Sequence, residues 1–174
     1  MAQNIVISRV FNVPKEKVWD AWTNPTYVKE WWGPKDFTAP SIKIDLRKGG
    51  KYIFCMHGPQ GSEWDKDFYS AGVYMKIVPY EELIVSDYFS DENGNKINPS
   101  SYGMPIDMPD EMNASVKFEA VENGKTKLTI EYQTEGTKQY EAMKKSGMED
   151  GWNQSLNKLE RILETQQQRE VIGR

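Results

Sequence analysis

The chain has 174 residues, 38% of them hydrophobic and 28% charged, which is the size and composition of one globular domain around a single core. Its 26 acidic residues outnumber its 22 basic ones, for a net charge of −4, and without a basic block nucleic acid is excluded as a partner. No stretch approaches the roughly 18 apolar residues of a membrane-spanning helix, the N-terminus lacks a signal-peptide pattern, and the single cysteine, Cys55, excludes an internal disulfide and CxxC chemistry; a cytoplasmic protein outside the membrane is expected.

In chain order, Asn4 to Phe11 is β-branched and aromatic and reads as a strand. Pro14 fits the first turn of a helix over Lys15 to Trp22, with Val18, Trp19 and Trp22 at helical spacing. Asn24-Pro25 restarts the chain as N-cap and first helical residue. The second short helix carries Val28, Trp31 and Trp32 and stops at Gly33-Pro34. Ser41 to Arg47 alternates as a strand, and Gly49-Gly50 turns it back into Lys51 to His57. There Tyr52, Phe54 and Met56 share one face, and Ile53, Cys55 and His57 share the other. After a polar loop, Asp67 to Val78 is a longer strand whose expected inner face is Tyr69, Ala71, Val73, Met75 and Ile77. Glu82 to Phe89 is apolar on both parities, so its orientation stays open.

Ser90 to Glu111 has no period and is broken by Pro99, Pro105 and Pro109. A loop this long is usually functional or disordered, and Met104, Ile106 and Met108 make a small apolar ridge in it. Met112 to Ala120 and Thr126 to Thr134 are strands joined by the hairpin signal Asn123-Gly124, the second with Leu128, Ile130 and Tyr132 inward. A helical piece with Tyr140 and Met143 follows Gly136-Thr137. Gly147 interrupts it, and a long helix runs from about 147 to about 168, with Ser146 and Glu149 read as a capping box. Trp152, Leu156, Leu159 and Leu163 fall on one face of that helix. A long amphipathic helix closing a strand-rich chain needs a sheet to lie against. One domain over residues 1–174, with its core at about 4–168, is expected.

Order and residues together resemble the helix-grip fold of START-like proteins, the SRPBCC superfamily. Within it they resemble the homologues of the activator of the heat-shock-protein-ninety ATPase. The residues that carry the resemblance are Phe11-Asn-Val-Pro14 with Val18-Trp19, Trp31-Trp-Gly-Pro34, Asp45-Leu-Arg-Lys-Gly-Gly50 and Met56-His-Gly-Pro59. Gly72-Val73, Ile77-Val-Pro79 and Gly151-Trp152 with Leu156 and Leu159 continue it, so it spans roughly residues 5–165. Tyr80, Ser86 and the length of the loop 90–111 depart from the usual pattern. The resemblance implies an α+β fold: a curved antiparallel sheet of six to seven strands gripping the C-terminal helix, two short helices after the first strand, and a cavity between sheet and helix. It implies small-molecule or lipid binding more readily than catalysis and is silent on the ligand; a small hydrophobic or lipid-like ligand, no cofactor and a monomer or homodimer are expected. Co-chaperones of the family carry a further N-terminal domain; this chain starts almost at its first strand, so that role is not expected.

The candidate ligand-binding residues are Trp152, Leu156, Leu159 and Leu163 on the helix, facing Phe54, Tyr69, Val73, Met75, Ile77, Leu128, Ile130 and Tyr132 on the sheet. A periodic apolar face is by default buried core, so each is either core or ligand-lining. Tyr52, Tyr69, Tyr88 and Tyr132 could place hydrogen bonds in a mostly apolar pocket. Two further readings stay open. A cavity enzyme of cyclase, dehydratase or hydrolase type would need an inward acid or base, for which His57, Asp87 and Glu131 are the candidates. A chaperone-associated or homodimeric interaction module would show a large exposed apolar patch. His57 reads as a surface residue, the Cys55–His57 pair lacks an orienting third group, and Asp45 and Arg47 read as an exposed pair. Asp107, Asp110 and Glu111 do not have calcium-site spacing, and no metal site is expected.

Overall fold

A computed structural model describes residues 3–173 of the chain. It contains strands β1 (Ile5–Phe11), β2 (Thr38–Ile44), β3 (Lys51–His57), β4 (Asp67–Val78), β5 (Glu82–Ser90), β6 (Met112–Val121) and β7 (Lys125–Tyr132), and helices α1 (Lys15–Thr23), α2 (Pro25–Trp31), α3 (Thr137–Lys145) and α4 (Met148–Ile172). All seven strands form one antiparallel sheet in the order β1-β7-β6-β5-β4-β3-β2. Short connections favour the antiparallel pairing of consecutive strands; β5 and β6 pair across the long segment 91–111, and β1 closes the far edge against β7. This is the α+β helix-grip architecture.

The helices cover one face of the sheet. Asn24 caps α2 by accepting a hydrogen bond from the Thr26 N–H at 3.0 Å, and Pro25 follows at the first helical position, as the Asn-Pro pair predicts. Leu156, Leu159 and Leu163 of α4 are essentially inaccessible to solvent. They join Ile5, Ile7, Phe11, Val18, Phe118, Leu128 and Ile130 in the core. Arg9 fastens the helix to the sheet edge through Asn157, at 2.6 Å, and Glu160, and Lys17 pairs with Glu170 farther along.

Three local expectations are corrected. Ser146 and Glu149 make no capping box: Gly147, in the left-handed conformation, precedes α4, Ser146 accepts from the Met148 N–H at 3.3 Å, and Glu149 pairs with Lys144 at 2.6 Å. Strand β2 starts three residues early and includes Pro40, tolerated because β2 is an edge strand with an irregularity between Thr38 and Ser41. Asp45 and Arg47 therefore lie in the following turn, as an exposed pair at 2.8 Å.

The third correction concerns β4. Phe68, Ser70, Gly72 and Tyr74 face the core, so Tyr69, Val73 and Met75 turn away from it. Gly72 stands opposite Tyr52 and Phe68 opposite Met56, and Phe68 and Tyr74 are buried while Met75 is 52% exposed. Pairing with β5 slips between Tyr74 and Lys76, and this bulge brings Ile77 back to the core side. A strand inverted by one residue shows its other face throughout, and a bulge restores the parity within a single strand.

Candidate ligand cavity

The space between sheet and helices is full at one end and hollow at the other. The hollow end is a cavity of about 390 Å³. On the helix side its border includes Gly147, just before α4, and Gly151 and Ser155 on it, at i, i+4 and i+8, among Met148, Asp150, Trp152 and Gln154; on β4 it includes Ser70 with Phe68 and Tyr69. Small residues thus meet across a gap that large side chains fill elsewhere. A Cβ added to Gly151 would meet only Pro34 Cγ, at 3.8 Å.

Aromatic rings and methionines make the walls. Trp152 stacks on Trp22, with centroids 5.7 Å apart and planes within 9°, and stands edge-on to Trp32 at 5.3 Å. Trp32 in turn packs on Phe54 at 4.7 Å. The irregular segment after β5 crosses to form another wall. Tyr102 packs on Phe68 and Phe89, its hydroxyl donates to the Ser90 carbonyl at 2.7 Å and accepts from the Tyr69 N–H at 3.2 Å. Met104 and Met108 then border the cavity, whereas Ile106 between them is 93% exposed. Met56, Met112 and Met148 add flexible, polarizable surface.

One acid reaches this apolar space. Asp87 of β5 stands opposite Gly72 on one side and Met112 on the other, and Gly72 stands opposite Tyr52. The row across the sheet is therefore Tyr52, Gly72, Asp87, Met112. A Cβ on Gly72 would lie 2.3 Å from the Tyr52 hydroxyl. Glycine at that position lets the tyrosine cross the strand towards the Asp87 carboxyl, whose charged form the Tyr52 hydroxyl and the Tyr88 N–H favour. The accessible surface that Asp87 retains belongs to the cavity, because its carboxyl is enclosed by protein. Enclosure disfavours the charged form and pushes its pKa up to about 7, with the Tyr52 hydroxyl and the Tyr88 N–H opposing the shift. Tyr52 and Tyr132 face the same region and are held well above the usual phenol range, chiefly by burial. The Tyr132 hydroxyl accepts from Trp152 Nε1 at 3.0 Å, which sets the ring that forms the cavity wall.

Of the residues read from the sequence as ligand-lining, Trp152, Tyr132 and Tyr69 border the cavity. The Tyr69 hydroxyl points away, to Cys55 on the opposite face. Leu156, Leu159, Leu163, Leu128, Ile130 and Phe54 are buried in the filled core, Ile77 packs against it, and Val73 and Met75 lie on the far side of the sheet. The other two candidate acid–base groups are also elsewhere. His57 sits between Asp67 at 2.7 Å and Asp65 at 2.8 Å on the outer rim, which raises its pKa. Glu131 accepts from Asn4 at 2.7 Å on the outer face of β7. Among the described residues no cluster of three or more metal-ligating side chains is present, and no helix is long and apolar enough to cross a membrane.

Sequence reading missed the face carrying Asp87 because both faces of β5 are covered. Core lies on one side; on the other, Tyr88 and Ser90 are buried where the turn through Gly94 folds back and accepts the Tyr88 hydroxyl at 3.1 Å. A glycine inside one strand beside an acid inside the next was the usable signal.

The family model described as "Activator of Hsp90 ATPase homolog 1-like protein" matches residues 12–164. The chain belongs to this family. Its fold is that of the START-like, helix-grip superfamily, and solved structures agree. A protein from Nitrosomonas europaea superposes with a TM-score of 0.75 at 22% identity, covering 94% of this chain and 96% of that one. A protein from Arthrobacter aurescens gives 0.77 at 24% identity, covering 95% and 91%. One from Staphylococcus epidermidis gives 0.72 at 26% identity, covering 95% and 92%. No curated protein matches the chain in sequence.

Proposed function

We propose that this family member binds a small hydrophobic molecule in the cavity between the sheet and the first turns of α4, and acts as a cytoplasmic carrier or sequestering protein. The observation that carries this reading is the hollow itself: about 390 Å³, walled by rings and methionines, where a well-packed interior leaves few voids larger than a water molecule. Apolar walls with a few placed polar groups suit ligand capture. Burying roughly 300 Å² of ligand surface contributes about 7 kcal/mol before the costs of association, which sets about 10 µM as the tight limit on the dissociation constant of a two-ring compound held by apolar burial alone.

Native mass spectrometry of protein purified without refolding tests the reading. Extra mass that disappears on denaturation is the expected result. Protein at its bare mass that also fails to bind two-ring aromatic compounds at millimolar concentration would overturn it.

A further inference from the structure

We propose that the ligand is a hydrophobic amine, with its apolar body against the rings and methionines and its cationic nitrogen at Asp87. This rests on the binding reading above and adds the chemistry of the ligand's polar end. The residues that border the cavity include two carboxylates, Asp87 and Asp150, and among the described residues no Lys, Arg or His. Of the bases nearby, Lys96 pairs with Glu111 at 3.3 Å and Lys66 lies over the Phe68 ring, 5.4 Å from its centroid, and neither is in the cavity's lining. Lys158 donates to the carbonyls of Pro34 and Phe37, at 3.2 Å each, and Lys144 pairs with Glu149. The start of α4, whose partial positive charge would favour an anion, carries Glu149 and Asp150 in its own first turn.

Asp87 thus lies at an apolar cavity, beside the Tyr52 hydroxyl and with no cationic side chain in the cavity's lining. A buried carboxylate in that position is costly until a cation joins it. An ammonium supplies the counter-charge and three N–H donors, and the surrounding ring faces attract a cation as well. A fatty acid would set its head group against like charge, and a neutral ligand would leave the carboxyl without a counter-charge. The raised Asp87 pKa agrees with this geometry. When an ammonium binds, the carboxyl proton leaves to solvent and the ion pair takes its place. The groups facing Asp87 from the packed elements are Tyr52 of β3, Tyr74 and Ser70 of β4, Met112 of β6, Tyr132 of β7 and Trp152 of α4. The three tyrosines have pKa values raised above the ordinary phenol value, so none titrates near neutrality, and Asp150 lies at the cavity border.

Three probes of one shape separate the possibilities by titration calorimetry: naphthylmethylamine, naphthylmethanol and naphthoic acid. The expected result is amine binding at least about tenfold tighter than alcohol binding at about pH 8, with amine affinity falling about tenfold per unit below the Asp87 pKa and alcohol affinity flat. In Asp87→Asn the ratio of amine to alcohol affinity collapses towards unity, and a cooperative urea unfolding transition shows that the variant is folded. Equal binding of amine and alcohol, or tightest binding of the acid, overturns the amine proposal and leaves the cavity reading standing. Failure of all three to bind wild-type protein overturns both.

Discussion

The two ends of the space under α4 are built from the same elements and differ in what they do. At the filled end Leu156, Leu159 and Leu163 share one buried core with Phe11, Phe118, Leu128 and Ile130. At the hollow end Gly151 and Ser155 of the same helix, with Gly147 just before it, lie across from Ser70 of the sheet, and the walls stand apart around Asp87. The filled end holds the helix on the sheet, and that rigidity allows the other end to stay open without collapsing. Stability and binding are thereby separated along one helix.

The sharpest way to break this contrast is a truncation at the filled end. Leu159→Ala should cost about 3 kcal/mol or more in urea denaturation and leave naphthylmethanol affinity within about twofold. A matching loss of affinity would show that the two ends are coupled. The next effect is a gain. Asp87 holds its proton more tightly folded than unfolded, so it weakens the fold as pH rises from its ordinary value of 3.8 towards about 7. Asp87→Asn should therefore be more stable than wild type by about 2–4 kcal/mol at about pH 8, with the difference vanishing by about pH 4. Paired denaturation curves across that range check it; a constant difference would place the carboxyl in contact with bulk water.

Gly151→Leu sharpens the comparison from the helix side. It should lower naphthylmethanol affinity at least about tenfold by occupying the hollow, while stabilising the helix by up to about 1 kcal/mol. Lower stability together with unchanged binding would mean that the hollow lies elsewhere. The smallest effect is expected outside the cavity altogether. His57 gains from Asp65 and Asp67 only when protonated. His57→Ala should thus lower the melting temperature slightly below the ordinary histidine value of 6.5, and the difference should fade as pH rises through its raised pKa. Probe affinity should not respond.

Much of the architecture was legible because burial on one side imposes a period. The spacing of Leu156, Leu159 and Leu163 announced a core face, and the alternation of Leu128, Ile130 and Tyr132 announced the inner face of β7, both as found. Asn24-Pro25 and Asn123-Gly124 marked real boundaries because local backbone chemistry decides them. The outer position of His57 followed from alternation in β3. Periodicity failed where neighbours outvoted it. In β4 the more apolar set, Tyr69, Ala71, Val73 and Met75, lost the inner face to Phe68, Ser70, Gly72 and Tyr74, and a bulge then reversed the parity.

The candidate site was the least legible part. A hollow exists where small residues from elements far apart in the chain come to oppose one another, and Ser70, Gly151 and Ser155 carry no mark of that pairing on their own strand or helix. Asp87 faced inward because its strand is covered on both sides, which erases the alternation that would have placed it. What the sequence by itself determined was the order of elements, the family and the helix face that must be buried, since these depend on local backbone preference and apolar spacing. What only the tertiary structure decided was which part of that buried face meets side chains and which meets space, because packing is set by volumes contributed from opposite sides of the fold.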